Sequence, residues 1–396
     1  MIKGIKLASN AAETIKEILK SCTGCQACWS DCQLLEELGS LMPCDVAKQV
    51  LSGQTDEKVR NHILKCDLCG LCVQSCPEQL DIPKLVIAAR QVLIEKGITD
   101  VELYRPMWVD HDWNAFTIYR DTYQIDYSNL IEMRCDTLFF PGCVLSSYAP
   151  ELTRAAVRWL ADQGGQVGLS LQCCGQPLAQ IGLTKRAEYH LKLIWQMAHE
   201  TGTHRLVTAC PGCDYQLHCG SVPGGIEVVS LFQLMADAGV RASGLSDGKI
   251  TIHDSCPDRE QQRIGPRVRE MLSDYEIGEM AHHGRETHCC GSGGIVSIID
   301  PELCICRAER RLKEFREVGA HLCVTYCIAC ASGLSSVFEP GKVRYLLELI
   351  FNQSVDYARN RARMEAMWQG EQGEYNYHRL ESSLTLGSSW ARQLQK

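Results

Sequence analysis

Eight cysteines near the start of the chain fall into two runs of one spacing, Cys22-x2-Cys25-x2-Cys28-x3-Cys32 and Cys66-x2-Cys69-x2-Cys72-x3-Cys76, the second followed at once by Pro77. Thiols at this pitch sit too close together to bridge one another as ordinary disulfides. Held on a tightly turning backbone they converge instead, and soft thiolates in such local clusters suit a metal centre in a reducing compartment. The whole chain carries 24 cysteines in 396 residues. A secreted disulfide scaffold is excluded by its size, by the C-x-x-C and C-C pairing of most cysteines, and by the residues after Met1, which show no apolar stretch of signal-peptide length. Zinc draws four ligands from two paired C-x2-C units and gives no reason for a third cysteine at the same pitch. Iron-sulfur centres are therefore expected.

The two runs resemble those of bacterial two-cluster ferredoxins, in which the fourth cysteine of each run ligates the other cluster. The resemblance implies two 4Fe-4S cubanes, one on Cys22, Cys25, Cys28 and Cys76, the other on Cys66, Cys69, Cys72 and Cys32. Gln33 stands where a proline is usual after the first run, whereas Pro77 keeps the second intact. Between the runs, Leu34, Leu35, Leu38, Val46, Val50, Leu51, Val59, Ile63 and Leu64 recur at helical intervals, so residues 34–65 are predicted as helix. An insert of that length looks like the helical ferredoxin of multi-subunit oxidoreductases. A further helix is predicted over 83–96, from Pro83 to just before Gly97. Cys44 lies outside the pattern and reads as a small buried thiol.

The other fifteen cysteines contain an internal repeat. One copy reads Cys143, Cys173-Cys174-Gly175, Cys210-x2-Cys213; the other reads Cys256, Cys289-Cys290-Gly291, Cys327-x2-Cys330. The offsets between matching positions are 113, 116 and 117 residues, so the copies differ only by a few loop residues. Short β-rich segments precede the cysteines: 137–140 before Cys143, 205–208 before Cys210, 249–252 before Cys256 and 321–325 before Cys327. Helices are predicted over 150–163, 184–200, 264–273 and 301–317. Strand and helix alternate, so each copy is expected to be a small α/β unit with its cysteines at one end of a parallel sheet. Gly175 and Gly291 suit a close approach of backbone to a cluster.

Five cysteines per copy exceed what a cubane or zinc site needs. The pattern resembles the cysteine-rich domains known by their C-C-G signature, and the layout over residues 10–345 is similar to the heterodisulfide reductase catalytic subunit in its fused form. The anchor subunit of anaerobic glycerol-3-phosphate dehydrogenase and lactate-utilisation proteins share the repeat. The resemblance implies a non-cubane cluster in each copy, one on Cys143, Cys173, Cys174, Cys210 and Cys213 and one on Cys256, Cys289, Cys290, Cys327 and Cys330, with zinc in one copy as the lesser reading. It also implies reduction of a small disulfide, or oxidation of thiols, by two one-electron carriers meeting the two sulfurs. The competing reading is an electron-wiring subunit with no substrate of its own.

The expected architecture is α+β and multidomain: a helical two-cluster ferredoxin domain at 1–97, an aromatic linker at 98–135, CCG domains at 136–246 and 247–352, and a tail at 353–396 that either docks on a partner or stays mobile. The linker holds Tyr104, Trp108, Trp113, Phe116, Tyr119, Tyr123 and Tyr127, which suit packing between domains. His253, His282, His283 and His288 surround the second copy's cysteines, and His288, beside Cys289, is the candidate catalytic proton donor. Arg259 and Lys185 are candidates to meet an anionic substrate. Cys135, Cys219, Cys304, Cys306 and Cys323 lack counterparts in the other copy and read as structural. A net charge of -8 gives no reason to expect nucleic acid, and no apolar run reaches membrane-spanning length, so a cytoplasmic protein is expected. No nucleotide-binding glycine motif occurs, so electrons are expected from a flavoprotein or iron-sulfur donor subunit, with a membrane cytochrome subunit as a further partner.

Overall fold

The computed structural model describes residues 11–386 apart from 31, 40, 132–133, 220–221 and 246–247; the reading of residues 1–10 and the end of the tail, 387–396, lie outside the described residues. Among the described residues no helix is long and apolar enough to cross a membrane.

The N-terminal module is helical. The single helix predicted over 34–65 is three helices, Gln33–Leu38, Pro43–Ser52 and Glu57–Lys65. Gly39 and Gly53 leave the helical region at φ 73° and 76°, Pro43 restarts the chain, and Asp56 caps the third helix by accepting from Val59 N at 2.8 Å. The apolar periodicity continues across these breaks because the three helices turn Leu35, Val46, Val59 and Ile63 into one buried core with Ile15 and Leu85. Helices Ala11–Ser21 and Ile82–Glu95 close that core.

The duplicated half forms two parallel sheets. In the first, β1 (Thr137–Phe140), β2 (Val167–Leu169), β3 (Arg205–Thr208) and β4 (Glu227–Ser230) lie in the order β2-β1-β3-β4; in the second, β5 (Ile250–His253), β6 (Leu322–Thr325) and β7 (Val343–Tyr345) follow in sequence order. Register confirms the duplication: Thr137 pairs with Arg205 as Ile250 pairs with Leu322. Among the described residues the second copy has no strand in the place of β2, where a bridge of Ile250 to Ile277 stands instead. β2, β4 and β7 are three or four residues long, too short to stand out by periodicity.

Because the strands are parallel, their carboxyl ends share one edge. β1, β3, β5 and β6 end two or three residues before Cys143, Cys210, Cys256 and Cys327. Cys210 and Cys327 are the N-caps of helices Pro211–His218 and Ile328–Leu334, so amide-rich helix ends face the thiols.

The described part of the tail, residues 353–386, packs on the chain itself. Helices Tyr357–Ala366 and Gly370–Glu381 pack on the linker helix Ala115–Thr122. Tyr119 donates to Asn360 at 3.1 Å, Tyr123 to the Arg363 carbonyl at 2.7 Å, and Arg379 pairs with Asp121 at 2.7 Å while stacking 3.6 Å over Trp113.

Arg90 joins the three modules. It is 4% exposed and donates to the carbonyls of Ile63, Leu64 and Cys66 in the helical module, of Gln180 in the first copy at 2.6 Å and of Gly294 in the second at 3.2 Å.

Candidate iron-sulfur sites and the chamber between them

The helical module holds two thiol-lined cavities. Cys22, Cys25, Cys28 and Cys76 line one; Cys28, Cys32, Cys66, Cys69 and Cys72 line the other, of about 70 Å³. The backbone thus brings the fourth cysteine of each run to the opposite run. Burial pushes the Cys28 thiol up to about 11, with Cys22 and Cys76 adding to the effect, and pushes Cys32 to about 11 with Cys66 adding to it. Uncompensated thiolates are disfavoured there, as expected of donors that need a cation. Cys44 is not the buried thiol expected from sequence: it is partly exposed and its thiol hydrogen bonds to Cys22.

The two copies build matching chains of thiols. In the first, Cys173 contacts Cys143 at 3.8 Å between sulfurs, and hydrogen bonds run on through Cys174 and Cys213 to Cys210. In the second, Cys289 meets Cys256 and Cys290, Cys290 meets Cys330 at 3.2 Å, and Cys330 meets Cys327. Cys174 and Cys290 hold the same place in the two chains, and both thiols fall well below their ordinary range because two neighbouring thiols bond to each. The chains meet where the Cys210 thiol adjoins that of Cys327. Five convergent soft donors per copy suit an iron-sulfur centre and exceed the four of a structural zinc site.

Glycine makes this gathering possible in the first copy. Gly142 sits at φ 82°, and a Cβ there would lie 3.0 Å from Cys210 Cβ and 3.1 Å from Cys213 Sγ. Gly175 and Gly291 serve a different purpose from the one expected: a Cβ would meet the His190 ring at 3.2 Å and the Cys304 carbonyl oxygen at 2.4 Å, so they admit packed helices.

The copies are not electrostatically alike. His253 bonds to Cys290, whereas Phe140 holds the matching position in the first copy. Asp67 crosses from the helical module to accept from Cys289 at 3.1 Å and to pair with Arg307 at 2.5 Å, and burial holds its carboxyl up at about 6 against that pairing.

A chamber of about 320 Å³ opens between the two sites. Nine of their ten cysteines line it, Cys289 being the exception, together with Cys69 of the helical module. His288 does not line it. That imidazole faces the Cys66 cavity, its Nδ1 held by Glu314 Oε1 at 2.9 Å and its ring stacked 3.6 Å from His282. His283 bonds to the Met280 carbonyl at 2.8 Å. Arg259 lines the chamber but is 2% exposed and bonded to backbone carbonyls, while Lys185 is exposed on helix Thr184–Glu200. Of the cysteines read as structural, Cys135 and Cys323 are buried and Cys304 packs under Gly291, but Cys306 is exposed and Cys219 lines the chamber beside Tyr215.

Comparison with known proteins agrees with this layout. A 4Fe-4S dicluster domain model matches residues 21–81, and a cysteine-rich domain model with the CCG name matches 137–218 and 250–335. The chain is similar to a subunit of the fumarate reductase (CoM/CoB) of Methanothermobacter marburgensis, 23% identical over 84% of this chain and 72% of that one. It is similar to a subunit of the dihydromethanophenazine:CoB–CoM heterodisulfide reductase of Methanosarcina mazei, 24% identical over 83% and 91%, and to the glycolate oxidase iron-sulfur subunit of Escherichia coli, 20% identical over 84% and 93%. The chain belongs to the family of iron-sulfur proteins that join a 4Fe-4S dicluster domain to two CCG domains, with this heterodisulfide reductase subunit among its relatives.

Proposed function

We propose that this chain is the subunit of an oxidoreductase complex in which a disulfide is reduced to two thiols, or the reverse, inside the chamber between its two CCG sites. The observation that carries this reading is the meeting of two equivalent thiol chains, Cys143 to Cys210 and Cys256 to Cys327, around one cavity. Iron-sulfur centres exchange one electron apiece, whereas a disulfide takes two electrons and two protons to give two thiols.

The chain's own residues fit each requirement. Cys22, Cys25, Cys28 and Cys76 hold the outer cubane, where Cys25 is exposed to a donor subunit carrying flavin or iron-sulfur. Cys32, Cys66, Cys69 and Cys72 hold the inner one. Cys28 borders both cavities, and Cys69 lies near Cys256 on the chamber wall, so the sites follow one another without a gap. The ten CCG cysteines would hold two non-cubane clusters, one in each copy, able to supply one electron apiece. His288 is held by Glu314 Oε1 and lines the Cys66 cavity, not the chamber, so it stands outside the proposed reduction site.

The relatives' names support this class of reaction and also the runner-up, a wiring subunit that hands electrons onward. The anaerobically prepared protein is to be given reduced viologen and a small disulfide. Disulfide-dependent viologen oxidation that disappears in Cys210→Ser and Cys327→Ser supports the proposal. Viologen oxidation indifferent to disulfide, with no paramagnetic signal on adding thiol and oxidant, leaves the wiring subunit.

A further inference from the structure

Charge is distributed unevenly around the chamber. Among the described residues that line it, the acidic ones are Asp67, Asp81 and Glu260, and Arg259 is the one cation. Arg259 is committed elsewhere: Nε donates to the Cys69 carbonyl at 3.0 Å, Nη2 to the Thr287 carbonyl at 2.5 Å, and Nη1 to the Arg285 carbonyl. Asp67 is answered by Arg307, but Asp81 faces the chamber as the cap of Lys84 N, and Glu260 is exposed at its edge. Much of the remaining wall is apolar, including Ile87, Met107 and Phe116, and Ile298 stands 37% exposed where the wall reaches solvent.

We infer that the chamber admits an uncharged, largely apolar acceptor and turns away anionic ones. The inference rests on reading the chamber as the place where the acceptor is reduced. An anion entering it gives up hydration and meets no uncommitted cation among the described lining residues. It also approaches the Asp81 and Glu260 carboxylates and thiolate-bound centres of the same sign, in a concave site whose walls weaken solvent screening. An uncharged acceptor meets apolar wall and none of this repulsion.

The test uses the full-length, cluster-loaded protein and methanethiosulfonate reagents of similar bulk: neutral hydroxyethyl, anionic sulfonatoethyl and cationic trimethylammonioethyl. The rate of modification of Cys219, on the chamber wall, is read by mass spectrometry and divided by its rate in the urea-unfolded chain. After that correction the neutral reagent is expected to outpace the anionic one by about tenfold, the cationic reagent to be no slower than the neutral one, and Glu260→Gln to narrow the gap. Equal neutral and anionic rates, or no modification of Cys219 by any reagent, overturn the inference.

A second arm separates this inference from the reading beneath it. Turnover is compared between bis(2-hydroxyethyl) disulfide and bis(2-sulfonatoethyl) disulfide. If neither is reduced while the labelling bias holds, the disulfide reading falls and charge selection stands. If both are reduced with equal kcat/KM, charge selection falls and the disulfide reading stands.

Discussion

The thiols of Cys210 and Cys327, equivalent positions in two copies of one domain, adjoin each other across the boundary between the copies. Duplication alone does not produce such a meeting. It requires both sheets to present their carboxyl ends to the same space, and contacts between the copies hold that arrangement: Tyr345 donates to the Ala209 carbonyl at 3.1 Å, and Arg263 pairs with Asp214 at 2.7 Å.

Gly142→Ala should empty one site and spare the other. The position has φ 82°, and the added Cβ lands against Cys210 and Cys213, for a cost of about 1–3 kcal/mol in backbone strain before any clash. Iron should fall by about four atoms per chain. The matching Ser255 has φ -82°, and its buried hydroxyl has no partner among the described residues, so Ser255→Ala should keep full iron and stability within about 1 kcal/mol. Iron assay and thermal unfolding of the two variants check this.

Arg90→Ala removes the donor shared by five carbonyls and should destabilise the protein by about 3 kcal/mol or more, since buried acceptors are left unpaired. Arg90→Lys should recover less than half, because one ammonium does not reproduce the fork of a guanidinium. Thermal unfolding and the rate of proteolysis between the helical module and the CCG domains measure both.

His62 should make the protein sensitive to mild acid. Burial, with Arg90 adding to it, lowers the imidazole to about 4 in the folded chain, against the ordinary 6.5. The unfolded chain therefore binds a proton that the folded chain refuses as pH falls below 6.5, and stability drops until pH passes about 4. By pH 5 the loss is about 2 kcal/mol. In His62→Leu the difference in urea midpoint between pH 7 and pH 5 should shrink accordingly; an unchanged difference contradicts the assignment.

Truncation after Asn352 should expose the linker's aromatic face without emptying the metal sites. The tail covers Tyr119 and Tyr123, ties Asp112 N to the Leu384 carbonyl at 2.9 Å, and supplies none of the chain's cysteines. Binding of a hydrophobic dye should rise while iron per chain stays constant.

Much of this was legible in the sequence because thiol ligands must converge and so leave fixed spacings. The strands before Cys143, Cys210, Cys256 and Cys327 and the helices 150–162, 184–200 and 301–318 lie within a residue or two of their expected places. What was not legible depends on distant pairs. Arg90 is one arginine in an amphipathic helix until its carbonyl partners, as far as 204 residues away, fold around it. His288 adjoins Cys289 in sequence, but its backbone turns the ring to the Cys66 cavity and away from the chamber. The tail's polar composition concealed two helices whose buried face consists of a few residues such as Asn360, Asn376 and Leu380.

The most direct test of the central claim, that both CCG sites hold iron and face one chamber, is an iron, sulfide and zinc count on protein purified without oxygen. About sixteen irons per chain with no zinc is the predicted result, from two cubanes and two CCG clusters. About eight irons, with or without zinc, would confine the clusters to the helical module and contradict the account.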